Sequence, residues 1–116
     1  MTTIVQTREQ VNASRVHVVT WGPMATSDVG DNVEMPNSAD RSIQVDGTFG
    51  GATIILQGSN DGVTWFTLTS PDGTACSFTS AGLKQVLEVV RYMRPSVTGG
   101  TSVALYARLL IKGETL

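Results

Sequence analysis

The sequence predicts an all-β protein of eight or nine short strands arranged as a sandwich or barrel, and three observations carry that expectation. The first is composition. Apolar residues make up 41% of the 116 and charged residues only 16%, the place of the missing charge being taken by Thr, Ser, Gly, Asn and Gln, which suit pleated surfaces and tight turns. The second is a series of turn signatures at roughly ten-residue spacing. The third is polar–apolar alternation within the segments between them, the two-residue period of a half-buried strand.

Taken in order, residues 1 to about 14 are polar and aperiodic, an N-terminal arm or a first edge strand, and residues 15–116 form a single domain. Arg15–Trp21 is rich in β-branched residues and is closed by Gly22-Pro23, a pair that ends regular pairing. Met24–Asp40 reads as a long loop with at most one short strand, anchored by Val29, Val33 and Met35. Ser42–Asp46 alternates and puts Ile43 and Val45 on one face. Ala52–Gln57 and Val63–Leu68 flank Gly58-Ser59-Asn60-Asp61-Gly62, so they are expected to pair as a hairpin across a short Asn-Asp-Gly loop, with Trp65 in the core. Ser70-Pro71-Asp72-Gly73 is a turn, and Ala75–Phe78 a short strand. Residues 83–93 fit either a strand or a helix capped by Ser80; Val86, Val89, Val90 and Tyr92, with Pro95 holding Arg94 extended, favour strand. Ser102–Ile111 supplies a long last strand.

Chain length and charge bound the function. One core of this size buries about two-thirds of the surface the unfolded chain exposes, so no staple is required. With 8 basic and 10 acidic side chains there is no electrostatic footprint for a phosphate backbone, and nucleic acid is not an expected direct partner. Cys76 is alone, which excludes an intrachain disulfide and a multi-cysteine zinc site and makes it a small core residue. No window approaches the ~20 apolar residues of a membrane span, and the N-terminus lacks the apolar run of a signal peptide, so no membrane is expected as a partner.

Chemistry has little to stand on. His17 is the only imidazole and lies in an alternating strand, with Val16 and Val18 expected on the opposite face. No Gly-x-Ser-x-Gly elbow, phosphate loop or dinucleotide fingerprint occurs. Asp28, Asp31 and Glu34 lie close together in the long loop but do not match an EF-hand, and read as a solvated acidic loop in preference to a calcium site. No catalytic residue, cofactor or metal is therefore expected, and the chain is read as a scaffold that binds through loops and sheet edges.

Val45–Trp65, with the later runs Phe78–Leu83 and Arg91–Gly100, resembles segments of small structural proteins of tailed bacteriophages, and most closely head decoration or cement proteins. That resemblance implies an antiparallel β-sandwich, jelly-roll-like, on the capsid exterior of the virion. It implies assembly as a homodimer or homotrimer, synthesis in the bacterial host cytoplasm, and binding to the major capsid protein so as to bridge and stabilise neighbouring subunits. The residues expected to touch that partner are Ile4, Val5, Arg8 and Val11 in the arm and Val29, Asp31, Val33 and Met35 in the loop. The Ser59-Asn60-Asp61-Gly62-x-x-Trp65 element is also similar to one in discoidin-type carbohydrate-binding domains. The alternative it implies is a carbohydrate-binding module of a phage adsorption or tail protein, with Trp21 or Tyr106 stacking on a sugar.

Overall fold

The computed structural model describes residues 2–11, 15–34 and 38–113. Within them the chain forms β1 (Thr3–Ile4), β2 (Thr7–Gln10), β3 (Val16–Met24), β4 (Val29–Gly30), β5 (Val33–Glu34) and β6 (Ser38–Thr48). There follow β7 (Thr53–Ser59), β8 (Phe66–Thr67), β9 (Ser77–Phe78), β10 (Gly82–Gln85), β11 (Tyr92–Thr98) and β12 (Ala104–Gly113). One sheet has the order β10-β6-β12-β3-β2; the other runs β1-β4-β11-β7-β8, with β5 also on β11 and β9 also on β7. The two pack face to face as a β-sandwich. The expected eight or nine strands become twelve because five of them are two-residue pairings at the margins, too short to leave a periodic trace in sequence. The expected antiparallel pattern has one exception, β1 against β4, which is parallel.

The period of two dictates the core. In β12, Leu105, Ala107, Leu109 and Ile111 all face inward and are fully buried, as are Val19 and Trp21 of β3, with Ile43 and Val45 of β6 beside them. Ile54 and Leu56 of β7 and Met93 and Val97 of β11 meet them from the other sheet, and Cys76 is buried as expected. Each such aliphatic side chain is worth roughly 1.5–3 kcal/mol of burial. A polar residue breaks the pattern: Arg41 is in register with Ile43 and Val45 and only 2% exposed. Its guanidinium donates to the Glu88 backbone carbonyl and, at 3.7 Å, to Met93 Sδ, and burial lowers its pKa against the opposing pull of the Glu88 charge. Residues 86–90 thereby strap the two sheets together, for Val86 N–H donates to Arg41 O at 3.0 Å and Leu87 N–H to Thr69 O at 2.8 Å. The segment 83–93 contains no helix: β10 and β11 lie on either side of this extended strap.

Two expectations need correction. Gly22-Pro23 does not end pairing. β3 continues to Met24 through a bulge, since Ala107 is opposite Trp21 and Leu105 opposite Met24, leaving one extra residue on β3. Gly22 is required there: its φ is +148°, and a Cβ would lie 2.5 Å from the Tyr106 ring. The stretch from Met24 to Asp40 is not one long loop, because β4 and β5 both pair with β11 and β6 already begins at Ser38. The polar N-terminus is an edge strand twice over, with β1 closing one sheet and β2 the other.

The tryptophans also exchange places. Trp21 is fully buried, whereas Trp65 is half-exposed with the Arg94 guanidinium 4.1 Å over its ring. Gly22-Pro23 suggests a strand end beside Trp21, but the bulge carries the strand past it and leaves it central. Its indole N–H donates to Asp31, at 2.9 Å to Oδ1 and 3.1 Å to the carbonyl. Trp21→Phe keeps most of the packing but removes that donor, and should lower unfolding free energy by about 1.5–3 kcal/mol, as loss of a hydrogen bond to a charged group does. Urea denaturation of the variant measures it; an unchanged midpoint would mean the bond contributes nothing.

Candidate interaction surfaces

The acidic loop is a structural element. Asp28, expected to be solvated, is 7% exposed and accepts hydrogen bonds from Ala25 N (2.8 Å) and Thr2 N (3.1 Å). Asp31 Oδ1 accepts from Trp21 Nε1, from Gln6 N at 3.0 Å and from Gln6 Nε2 at 3.1 Å. Glu34 pairs with Arg91. Each carboxylate thus turns to a different partner, and no group of three metal-capable side chains comes together among the described residues.

The residues expected to contact a partner are divided by the fold. Val33 is 1% exposed and belongs to the core, Ile4 packs against it, and Val29 and Val11 are half-buried. Asp31 is committed to Trp21 and Gln6, and Met35 lies outside the described residues. Val5, 74% exposed, and Arg8 stay open to solvent. Arg8 belongs to β2, whose four residues are all exposed and which, among the described residues, pairs only with β3. The bond from Val11 N–H to Val16 O marks that pair as hydrogen-bonded, so by antiparallel alternation Thr7 and Glu9 also face β3 and the Arg8 backbone N–H and C=O point away from it.

A second surface has no counterpart in the sequence reading. Residues of the loop joining β7 to β8 and of the 86–90 strap form the banks of an open groove of about 360 Å³. Leu68 and Val90 line it, and Gly58 forms its floor, where a Cβ would lie 2.6 Å from Leu68 and 2.9 Å from Val90. Phe66, opposite Gly58 in register, stays 67% exposed at its mouth. Val63, Phe66, Leu87 and Val89 are four of the seven large apolar side chains left exposed among the described residues, the others being Val5, Leu83 and Leu110. Sequence could have pointed to the strap: within 86–90 the apolar residues come as two adjacent pairs, Val86-Leu87 and Val89-Val90, around Glu88, where a half-buried strand would alternate.

The expected hairpin is present, with Gly58 opposite Phe66 and Gln57 opposite Thr67, but its loop is longer than the short Asn-Asp-Gly turn expected. Asp61 organises it, Oδ1 accepting from Ser59 Oγ (2.8 Å), Val63 N (2.9 Å) and Thr64 N (2.9 Å). Those backbone bonds hold the Asp61 carboxyl at about 2, below its usual 3.8. Of the aromatics expected to stack on a sugar, Trp21 is buried, and Tyr106 is half-buried with the Arg108 guanidinium 5.2 Å over its ring. His17 is half-buried on the Val19 face, its Nδ1 without a partner among the described residues.

No family model matches the sequence, and no curated protein does. Solved structures do match. The SPBc2 prophage-derived protein YomS superposes with a TM-score of 0.64 at 11% identity, over 88% of this chain and 98% of that one. The fold is a two-sheet β-sandwich. The g-type lysozyme inhibitor PliG of Aeromonas hydrophila shares it at a TM-score of 0.55 and 11% identity, over 96% of each chain. An oxalate decarboxylase variant from Bacillus subtilis shares it at 0.50 and 12% identity, over 89% of this chain but 23% of that one. Likeness at such identity establishes architecture and leaves function to the residues themselves.

Acid stability should report the Asp61 and Glu88 anchors. Burial pushes the Glu88 carboxyl up, but hydrogen bonds from the Thr69 hydroxyl and backbone N–H outweigh it, so its pKa is lowered from 4.5. A carboxyl whose folded value lies below its unfolded one stabilises fully above the unfolded value, and the contribution is lost as pH falls through the folded one. The urea midpoint of the protein should therefore drop as pH falls from 4.5 towards 2, and Asp61→Asn and Glu88→Gln should each flatten that decline. Parallel curves for both variants and the parent would contradict the assignment.

Proposed function

We propose that this chain is a virion structural protein, a capsid decoration or cement protein that docks on the outer surface of the major capsid protein and bridges its subunits, without catalysis. The observation that carries the reading is β2, an exposed edge strand with an outward-facing backbone at Arg8 and the apolar Val5 beside it. An edge of this kind supports docking by strand addition, in which main-chain bonds give affinity and alternate side chains give selectivity. The architecture shared with a prophage-derived protein over nearly its whole length is compatible with a phage origin.

A second copy paired on β2 about a two-fold at Arg8 or Glu9 would set like charges directly opposite, which is destabilising, whereas one at Thr7 or Gln10 would set neutral residues opposite. The solution mass measured beside capsid binding separates self-pairing on this strand from docking on the capsid subunit. The carbohydrate alternative loses Trp21, which is buried, as its stacking platform.

Co-sedimentation with expanded phage capsids that lack the protein tests the reading. Deleting residues 1–14 is the wrong perturbation, since it removes β1, β2 and the Gln6 bonds to Asp31. Val5→Ser combined with Arg8→Glu changes two exposed side chains and should leave the fold intact. Saturable binding at a fixed ratio to the capsid subunit is expected, weakened about tenfold or more in the double variant, as for loss of a central contact. A well-folded protein that does not co-sediment would overturn the reading.

A further inference from the structure

We propose that the groove between the β7–β8 loop and the 86–90 strap is a second docking site, and that it takes an extended segment of another protein presenting a large apolar side chain flanked by lysine or arginine. It is separate from the β2 edge and does not depend on the capsid reading.

Phe66 is opposite Gly58, whose place is against Leu68 and Val90, so its ring is on the core-facing side of β8 yet remains 67% exposed. A side chain on that side is normally covered, and here the cover is missing because the strap stands off from the edge strand and leaves about 360 Å³ open. That volume is at the small end for binding pockets and suits one or two anchoring side chains. Leu68 and Val90 complete the apolar lining beside Phe66, so the groove offers a large apolar side chain contacts on more than one side.

Charge decides the occupant. Among the described residues that line the groove, Asp61 and Glu88 are the charged ones; both Glu88 oxygens are held by Thr69, which leaves Asp61 as the carboxylate open to a partner. Asp61 stays ionised across any physiological pH, and its three described hydrogen bonds all go to Oδ1, leaving Oδ2 with no partner among the described residues. A cationic side chain next to the apolar anchor can therefore use that oxygen without dismantling the loop. A second copy docked here across a two-fold would bring Asp61 and Glu88 against the same carboxylates, which costs affinity.

The test is an amide chemical-shift titration of the protein with the capped tetrapeptide KLFK, its acidic counterpart ELFE and the apolar-free KSSK. KLFK should saturably shift the amides of residues 59–66 and 86–90, at least about tenfold more tightly than ELFE, and KSSK should shift none of them. Phe66→Ser, at an exposed position, should abolish the shifts while the rest of the spectrum is preserved, and Asp61→Asn should bring KLFK and ELFE together. The proposal fails if KLFK shifts no groove amide or if ELFE binds as well. It also fails if these amides broaden with protein concentration as the solution mass doubles, which would place a second copy in the groove. Groove binding by a protein that ignores capsids would sink the capsid reading and keep this one; capsid binding with a silent groove would do the reverse.

Discussion

The structure turns on one carboxylate. Asp31 draws three elements to a single point: the Trp21 indole from the centre of β3, the backbone and side chain of Gln6 between β1 and β2, and its own turn between β4 and β5. A partly buried carboxylate accepting three hydrogen bonds is worth more than three neutral pairs, because ionised acceptors bind roughly twice as strongly. Among its described residues, the N-terminal segment brings Ile4 alone against the buried core. Asp31, with Asp28 receiving Thr2 N–H, supplies the attachment that hydrophobic burial does not.

Much of the exposed surface follows from that attachment. Once Gln6 is fixed, the chain must cross from the edge of one sheet to the edge of the other, placing β1 beside β4 and β2 beside β3. The loop carboxylates Asp28, Asp31 and Glu34 each bind other groups of the chain, and Trp21 is covered, so it leaves no sugar platform. At the opposite margin Arg41 performs a related task, its buried guanidinium holding the strap through the Glu88 carbonyl. Two polar anchors thus close the sandwich on two sides, and the two surfaces proposed for docking, β2 and the groove, lie beside them.

The parts of this fold legible in the sequence are those determined by neighbours along the chain. Alternation located β3, β6, β7 and β12, and the Asn-Asp-Gly run located the hairpin, because periodicity and turn chemistry are local. What escaped was set across distance. Asp28 and Asp31 meet partners 26 and 25 residues away, so a cluster that looks solvated in sequence becomes internal wiring. Gly22-Pro23 is a strong stop signal locally, but the long β12 pairs on both sides of it and the stop becomes a bulge. Trp65 follows a turn among β-formers, as a core residue should, yet β8 is a two-residue edge and Arg94 covers only one ring face. The groove is built from residues twenty or more positions apart, and only the paired apolar residues on either side of Glu88 hinted at it.

Native-state hydrogen exchange on Asp31→Ala tests most directly the claim that the N-terminal segment is a fixed edge strand held by this carboxylate. The amides of Gln6, Thr7 and Glu9 are expected to lose protection by far more than those of Leu109 and Ile111 at the centre of β12, showing that β1 and β2 release while the sandwich stays closed. Equal loss across both groups, or no loss in either, would contradict the claim that Asp31 is what fastens β1 and β2 to the sandwich.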